Sequence, residues 1–350
     1  MTRLAVLVAA WILGPVAALQ AETIRIATYD TELRRDGPGL LLRDIERGDA
    51  QAEAAAQVIA HARPDILVLQ SVDWDYDGRA LEALAKVIAD AGQDYPHRYA
   101  KRSNRGAATG LDMNGDGRLG DAEDAQAFGA FSGQGGMALL SRYPIATDAI
   151  VTFDNMLWSD LPGAEVPVHP DGTPFPSPEA QAVQRLSSGG HWVVPIDIDE
   201  NVRLTVLTYH ASPPVFDGPE DRNGLRNRDE TRLWSLLLGG GLGPRPVAPF
   251  VIAGNANLDP EQGEGQRETI RDLLASPMLQ DPEPKGAAHD NATVDWSARG
   301  PGRLRVSYVL PSRDLAVSAS GIVWPMTGPL AETVETASRH RLVWVDITLP

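Results

Sequence analysis

The sequence predicts a mixed α/β fold in which helices flank a core of two sheets. Three observations carry this reading. Amphipathic helical runs and short β-rich runs share the chain, which fits neither an all-helical nor an all-β architecture. Some runs of strand character follow one another directly, as HWVVPIDI and VRLTVLTYH do around Asp199-Glu200-Asn201. That succession suits two sheets better than one doubly wound parallel sheet. Apolar residues make up 43% of the 350, enough for a sizeable core.

The elements follow in order. ETIRIATYD, from Glu22, is a short β-rich run that ends in polar residues. AQAEAAAQVIAHA, from Ala50, is built of good helix formers and is stopped by Pro64. DILVLQSVD is a continuous apolar run of strand length, the mark of a central strand buried on both faces. GRALEALAKVIADAG is an amphipathic helix closed by Gly92. GGMALLSRYPI is a strand that ends at Pro144, and Asp160 to Pro178 is a long loop rich in Pro and Gly. After the hairpin, RDETRLWSLLLGG is a helix with a Gly stop. PFVIAGNAN is a buried strand running into a polar turn, and RLRVSYVLPS and RLVWVDITL are expected as the last two strands.

Residues 1–21 read as a secretory signal. One early Arg precedes an apolar stretch from Leu4 to about Leu13, then Gly14-Pro15 and small residues, with cleavage expected after Ala21 or Ala18. The stretch is too short and broken for a membrane span. The mature protein, residues 22–350, is therefore expected to be secreted or periplasmic. It has no cysteine, so its stability must come from packing and bound ions. The formal net charge of −16 disfavours nucleic acid and anionic membranes, because no positive field gathers a polyanion.

The order of strand endings is TYD (Thr28–Asp30), LQS (Leu69–Ser71), GGMALLSRYPI, TYH (Thr208–His210), GNAN (Gly254–Asn257), VSYVLPS (Val306–Ser312) and SRHRLVWVD (Ser338–Asp346). In this order they resemble the endonuclease/exonuclease/phosphatase superfamily, of pancreatic-deoxyribonuclease-like fold, and particularly its exported bacterial members. PPVFDGPEDRNG, from Pro213, is similar to the segment after the first histidine in those members. The resemblance covers nearly the whole mature chain. It implies one domain over 22–350, folded as a four-layer α/β/β/α sandwich with two central mixed sheets. It also implies divalent-metal-dependent cleavage of phosphoesters, in which carboxylates hold the metal and a His or Asp prepares the attacking water.

The residues depart from that pattern. His210, Asn257 and His340 match the family. Asp30 stands where the family usually has an asparagine, a gain of charge that could ligate a metal. Ser71 stands in place of the metal-binding glutamate, and a neutral hydroxyl is a weak ligand for Mg²⁺. Asn255 replaces the aspartate that prepares the nucleophile, and an amide cannot accept that proton. Ser307 replaces the aspartate that orients the final histidine, and Arg339 replaces the aspartate just before it. Arg339 would repel a cation but could bind phosphate. Asp73, Asp75 and Asp77 follow Ser71 closely enough to reach the site. Without the resemblance, the two histidines read as hydrogen-bonded core residues and the two asparagines as turn caps.

DMNGDGRLGDAE fits the calcium-loop template D-x-[DN]-x-[DN]-G-x₅-E. Asp112, Asn114 and Asp116 supply the first ligands, Arg118 a carbonyl and Glu123 the final bidentate carboxylate, while Leu119 is expected to face the core. The flanks do not read as paired helices. Ca²⁺ would stiffen an insertion near 104–134.

Two functions follow. In the first, a pseudoenzyme or very weak phosphoesterase binds a small phosphorylated ligand or a protein partner, and the substitutions argue against Mg²⁺ or Mn²⁺ at the pocket. In the second, an active metal-dependent phosphodiesterase, nuclease or phosphatase has rebuilt its site around Asp30, His210 and His340. The discriminating feature is whether two carboxylates converge near His340.

Overall fold

The computed structural model describes residues 23–288, 290–298 and 300–349. The expected signal, 1–21, lies outside them. In chain order the elements are β1 (Thr23–Asp30), α1 (Leu40–Glu46), α2 (Ala50–Ala62), β2 (Ile66–Val72), α3 (Arg79–Asp90), β3 (His97–Lys101), β4 (Gly136–Ser141), β5 (Val151–Thr152), α4 (Pro178–Val183), β6 (His191–Asp197), β7 (Arg203–His210), α5 (Arg222–Gly239), β8 (Phe250–Asn255), α6 (Arg267–Leu274), β9 (Val294–Asp295), β10 (Arg303–Leu304), β11 (Ser307–Pro311), β12 (Ala316–Ile322), α7 (Pro329–Ala337) and β13 (Val343–Thr348).

Two large mixed sheets form the core, as expected. One has six strands in the order β12-β13-β1-β2-β4-β3, and the other has five, β11-β8-β7-β6-β5. Their facing sides share one apolar cluster, in which Ile26, Val68 and Val345 meet Val194, Val206 and Val251. The outer face of the six-stranded sheet packs on α1, α2, α3 and α7 through residues such as Leu69, Ile59, Leu84 and Val334. The outer face of the five-stranded sheet packs on α5 and α6 through Leu207, Trp234 and Ile270. The order is therefore helix, sheet, sheet, helix. β2 is buried along its whole length because it lies mid-sheet with both faces covered, which accounts for its unbroken apolar run.

Local chemistry sets the helix ends. The Asp49 carboxylate accepts the amide of Ala52 at 2.8 Å and starts α2, and Arg63 turns left-handed before Pro64. The Asp75 carboxylate accepts the amides of Arg79 and Ala80 and starts α3. α5 closes on a left-handed Gly240.

Three expectations are corrected. RLRVSYVLPS is two strands, β10 paired with β9 and β11 paired with β8. Between them the Arg305 amide leaves the ladder for the Asp259 carboxylate, and the Val306 amide goes to the Thr293 hydroxyl. RLRVSYVLPS and RLVWVDITL are not the last two strands in succession, because the edge strand β12 lies between them; its AVSASGI is too small and polar to read as a strand. α5 begins at Arg222, a turn and a half earlier than its apolar pattern suggests.

Candidate functional site

Strand register gathers the family positions at one end of the sandwich. In the five-stranded sheet His210 lies beside Asn255 in the parallel pair of β7 and β8, and Asn255 lies beside Ser307 in the antiparallel pair with β11. Asp30 ends β1 on the facing sheet, beside Gln70 of β2. Gly254 allows this close approach, since a Cβ there would lie 2.4 Å from the Tyr209 carbonyl oxygen. Ser71 is left-handed, with φ of 58°, at a break in register between β2 and β4. Such a bulge re-aims a side chain, and the Ser71 side chain is among the groups that favour the ionised form of Asp30. His340 is carried by the segment before β13. Its amide donates to the Ser338 hydroxyl at 3.1 Å, and that hydroxyl donates to the Asp30 carbonyl at 2.8 Å.

Asp30 is the hub of this cluster. Its Oδ2 accepts the Asn255 amide at 2.9 Å and lies 3.4 Å from His210 Nε2 and 3.9 Å from His340 Nε2. Burial works to raise its pKa, but His340, His210, Ser71 and Asn255 together favour the ionised form and hold it below the usual carboxylate range. Asp30, His210, Asn255, Ser307 and His340 are all buried. The ring nitrogen Nδ1 of each histidine and the Ser307 hydroxyl have no partner among the described residues.

Arg105 was not anticipated. It follows β3, is buried, and places Nη2 3.3 Å from His210 Nε2. A guanidinium only donates, so this contact takes the Nε2 lone pair and puts the proton on Nδ1. Burial and Arg105 together push His210 down to about 3, against the pull of Asp30. His210 is thus a neutral imidazole. The backbone holds Arg105 on both sides. The Gly106 amide donates to the Ala127 carbonyl at 2.9 Å, and the Gly133 amide to the Arg105 carbonyl at 3.2 Å.

The other expected residues are placed away from the chemistry. Asn257 is a turn residue, left-handed with φ of 49°; its amide group donates to the Ala211 carbonyl at 2.8 Å, and its backbone N–H donates to the Asn255 side chain. Arg339 lies on the rim, paired with Glu32, whose Oε2 also accepts the Arg339 amide at 2.9 Å. Arg339 is therefore not a free phosphate ligand. Glu32 is a second acid within electrostatic reach of His340, but its oxygens are taken by Arg339 and Ser338. Asp73 accepts the amides of Arg35 and Gly135, and Asp75 caps α3, so neither supplies the centre. Sequence spacing offered no signal for Arg105 or Glu32, because each reaches its partner through tertiary contacts.

Among the described residues no group of three or more His, Asp or Glu could hold a metal ion. At the centre, Ser71, Asn255 and an arginine surround a single acid, which does not fit the family's metal. In the 112–123 loop the acids face their own backbone. Asp112 accepts the amides of Gly115 and Gly117, Asp116 accepts that of Arg118, and Asn114 donates to Glu123 at 2.6 Å. A slight burial of Asp112 is outweighed by the Gly117 and Gly115 amides, which lower its pKa. Leu119 is 70% exposed, contrary to expectation, because the loop stands off the sandwich.

The fold is a two-sheet sandwich with a ring of buried strand-end residues at one end. The chain belongs to the Endonuclease/Exonuclease/phosphatase family, whose sequence profile matches residues 34–340. No curated protein matches it. Among solved structures it is similar to an endonuclease/exonuclease/phosphatase from Beutenbergia cavernae, at 19% identity and a TM-score of 0.56, covering 93% of this chain and 72% of that one. It is also similar to a family protein from Leptotrichia buccalis, at 16% and 0.54, covering 93% of this chain and 100% of that one. A third is sphingomyelinase C from Streptomyces griseocarneus, at 16% and 0.51, covering 93% and 99%. At these identities the likeness speaks for the fold alone.

Proposed function

We propose that this chain is a non-catalytic, or at most very weakly catalytic, exported member of its family that binds a small phosphorylated ligand. One observation carries the reading: among the described residues Asp30 is the only acid free to act at the centre, and the cation packed beside it, on His210, is Arg105. Asn255 cannot deprotonate a water, and a lost general base alone lowers rate by about 10² to 10⁴. Export is supported by the composition of residues 1–21. Ca²⁺ in the 112–123 loop belongs to the same proposal and is supported by the register of its acids; binding would turn Asp112, Asp116 and Glu123 inward. Among the described residues no helix is long and apolar enough to cross a membrane.

The test is hydrolysis of a generic phosphodiester and phosphomonoester with Mg²⁺, Mn²⁺ or Ca²⁺, beside His340→Ala. No turnover above the variant is expected. A second reading, a rebuilt active site, is favoured by the ionised Asp30 between two imidazoles. Metal-dependent turnover that disappears in His340→Ala would establish it and overturn the first.

A further inference from the structure

A cleft of about 350 Å³ opens beside the closed centre, between the end of β3 and the segments after β5 and α4. Lys101, Arg102, Ser103, Asp154 and Arg185 line it, and Trp74 forms part of its wall. In a chain of net charge −16, three cations around one cavity with a single acid is a local reversal of sign.

The acid does not cancel them. Asp154 pairs with Lys101 at 3.2 Å, and its two oxygens also accept the His191 amide and the Trp192 indole N–H. Among the described residues Arg185 has no carboxylate partner; one of its nitrogens donates to the Asn104 side chain at 2.8 Å. Arg102 is exposed and makes no side-chain hydrogen bond or ion pair among the described residues. Ser103 is buried at 3% exposure, and its hydroxyl has no partner among the described residues. A buried hydroxyl left unpaired is costly. Two guanidiniums without acids and one unsatisfied hydroxyl form a donor set for a phosphate dianion. Trp74, Ala100 and Ala107 offer apolar wall for a carbon skeleton, and the volume lies at the small end for ligand pockets.

We propose that this cleft is the binding site for a small phosphomonoester, with Arg102, Arg185 and Ser103 on the phosphate and Trp74 against the organic half. This rests on the reading that the chain binds a phosphorylated ligand, and it places that ligand outside the buried histidine centre.

Calorimetric titration tests it. Inorganic phosphate, a hexose 6-phosphate, adenosine 5′-monophosphate and the unphosphorylated hexose are each added to the protein and to Arg102→Met, Ser103→Ala, Arg185→Met and His340→Ala. The phosphorylated probes should bind one to one, and the free hexose should be silent. Arg102→Met should weaken binding by about tenfold or more, and His340→Ala should leave it unchanged. The tighter of the two organic phosphates identifies the ligand as sugar-like or nucleotide-like. Arg102 is exposed, so its variant stays informative even if Arg185→Met fails to fold. Binding that ignores both Arg102→Met and Ser103→Ala overturns the assignment, as does no binding of any phosphorylated probe. Phosphate release with Mg²⁺ or Mn²⁺ is followed in the same samples. Release would overturn the non-catalytic reading and leave the binding result standing.

Discussion

Arg105 and Asp30 form no direct ion pair among the described residues, but against burial and Arg34 the Asp30 charge, like that of Glu230, favours the charged guanidinium. A buried carboxylate and a buried guanidinium are each costly alone, and removing one partner of such a set typically costs about 3–5 kcal/mol. Arg105→Met should therefore lower stability by roughly that amount in urea unfolding. Adding Asp30→Asn should recover part of the loss, since the stranded charge is then gone. If the double variant is no more stable than Arg105→Met, the two groups are not balancing each other. The residue scale is also where the sequence was least complete. Asp30, Ser71, His210 and Asn255 could be read from strand endings, because each closes a recognisable apolar run, and Ser307 and His340 from the starts of the runs that follow them. The cation that answers Asp30 could not, since Arg105 lies in a loop and reaches His210 only through the fold.

At the scale of elements, the long segment between β3 and β4 is held by close backbone contacts. Gly106, at φ of 67°, fits only without a side chain, because a Cβ there would lie 1.8 Å from the Phe131 carbonyl oxygen. Gly106→Ala should destabilise the protein by at least about 2 kcal/mol through strain in that stitch, read as a lowered urea midpoint. The 112–123 loop makes a separate prediction. Millimolar Ca²⁺ should raise Tm relative to chelator, by mass action on the folded state, and Glu123→Gln should remove the rise. An equal Tm with Ca²⁺ and with chelator would mean that the loop is held by its own backbone hydrogen bonds. Elements with strong apolar patterns, such as β2, β8 and α3, were legible in the sequence. Short or polar ones, such as α1, β12 and the β9–β10 pair, were not, because pairing partners rather than local composition define them.

For the whole molecule, the buried imidazoles set an acid limit. His210 is pushed down to about 3, and His191, buried beside Glu230, is also lowered. Unfolded, each takes up a proton near pH 6.5. Between the folded and unfolded values the unfolded chain binds more protons, so stability rises with pH. This contribution is complete above about pH 6.5 and is lost as pH falls toward 3. Asp30, lowered when folded, adds its own loss at still lower pH. The urea midpoint should fall steadily from pH 7 to pH 4, and His210→Gln should flatten that slope; an unchanged slope would mean His210 is protonated in the folded protein. The two-sheet architecture itself was visible from strand succession, whereas which strands lie at the edges was not.

The stitching of Arg105 to Ala127 and Gly133 has a kinetic consequence. Arg105 covers His210 Nε2, so a solute meets that nitrogen only after this backbone parts. Chemical modification of His210 should then reach a plateau rate as reagent is increased, governed by a first-order opening step instead of by collisions. The centre would run on the clock of its own insertion, and tightening that insertion would slow the clock without touching a residue of the centre.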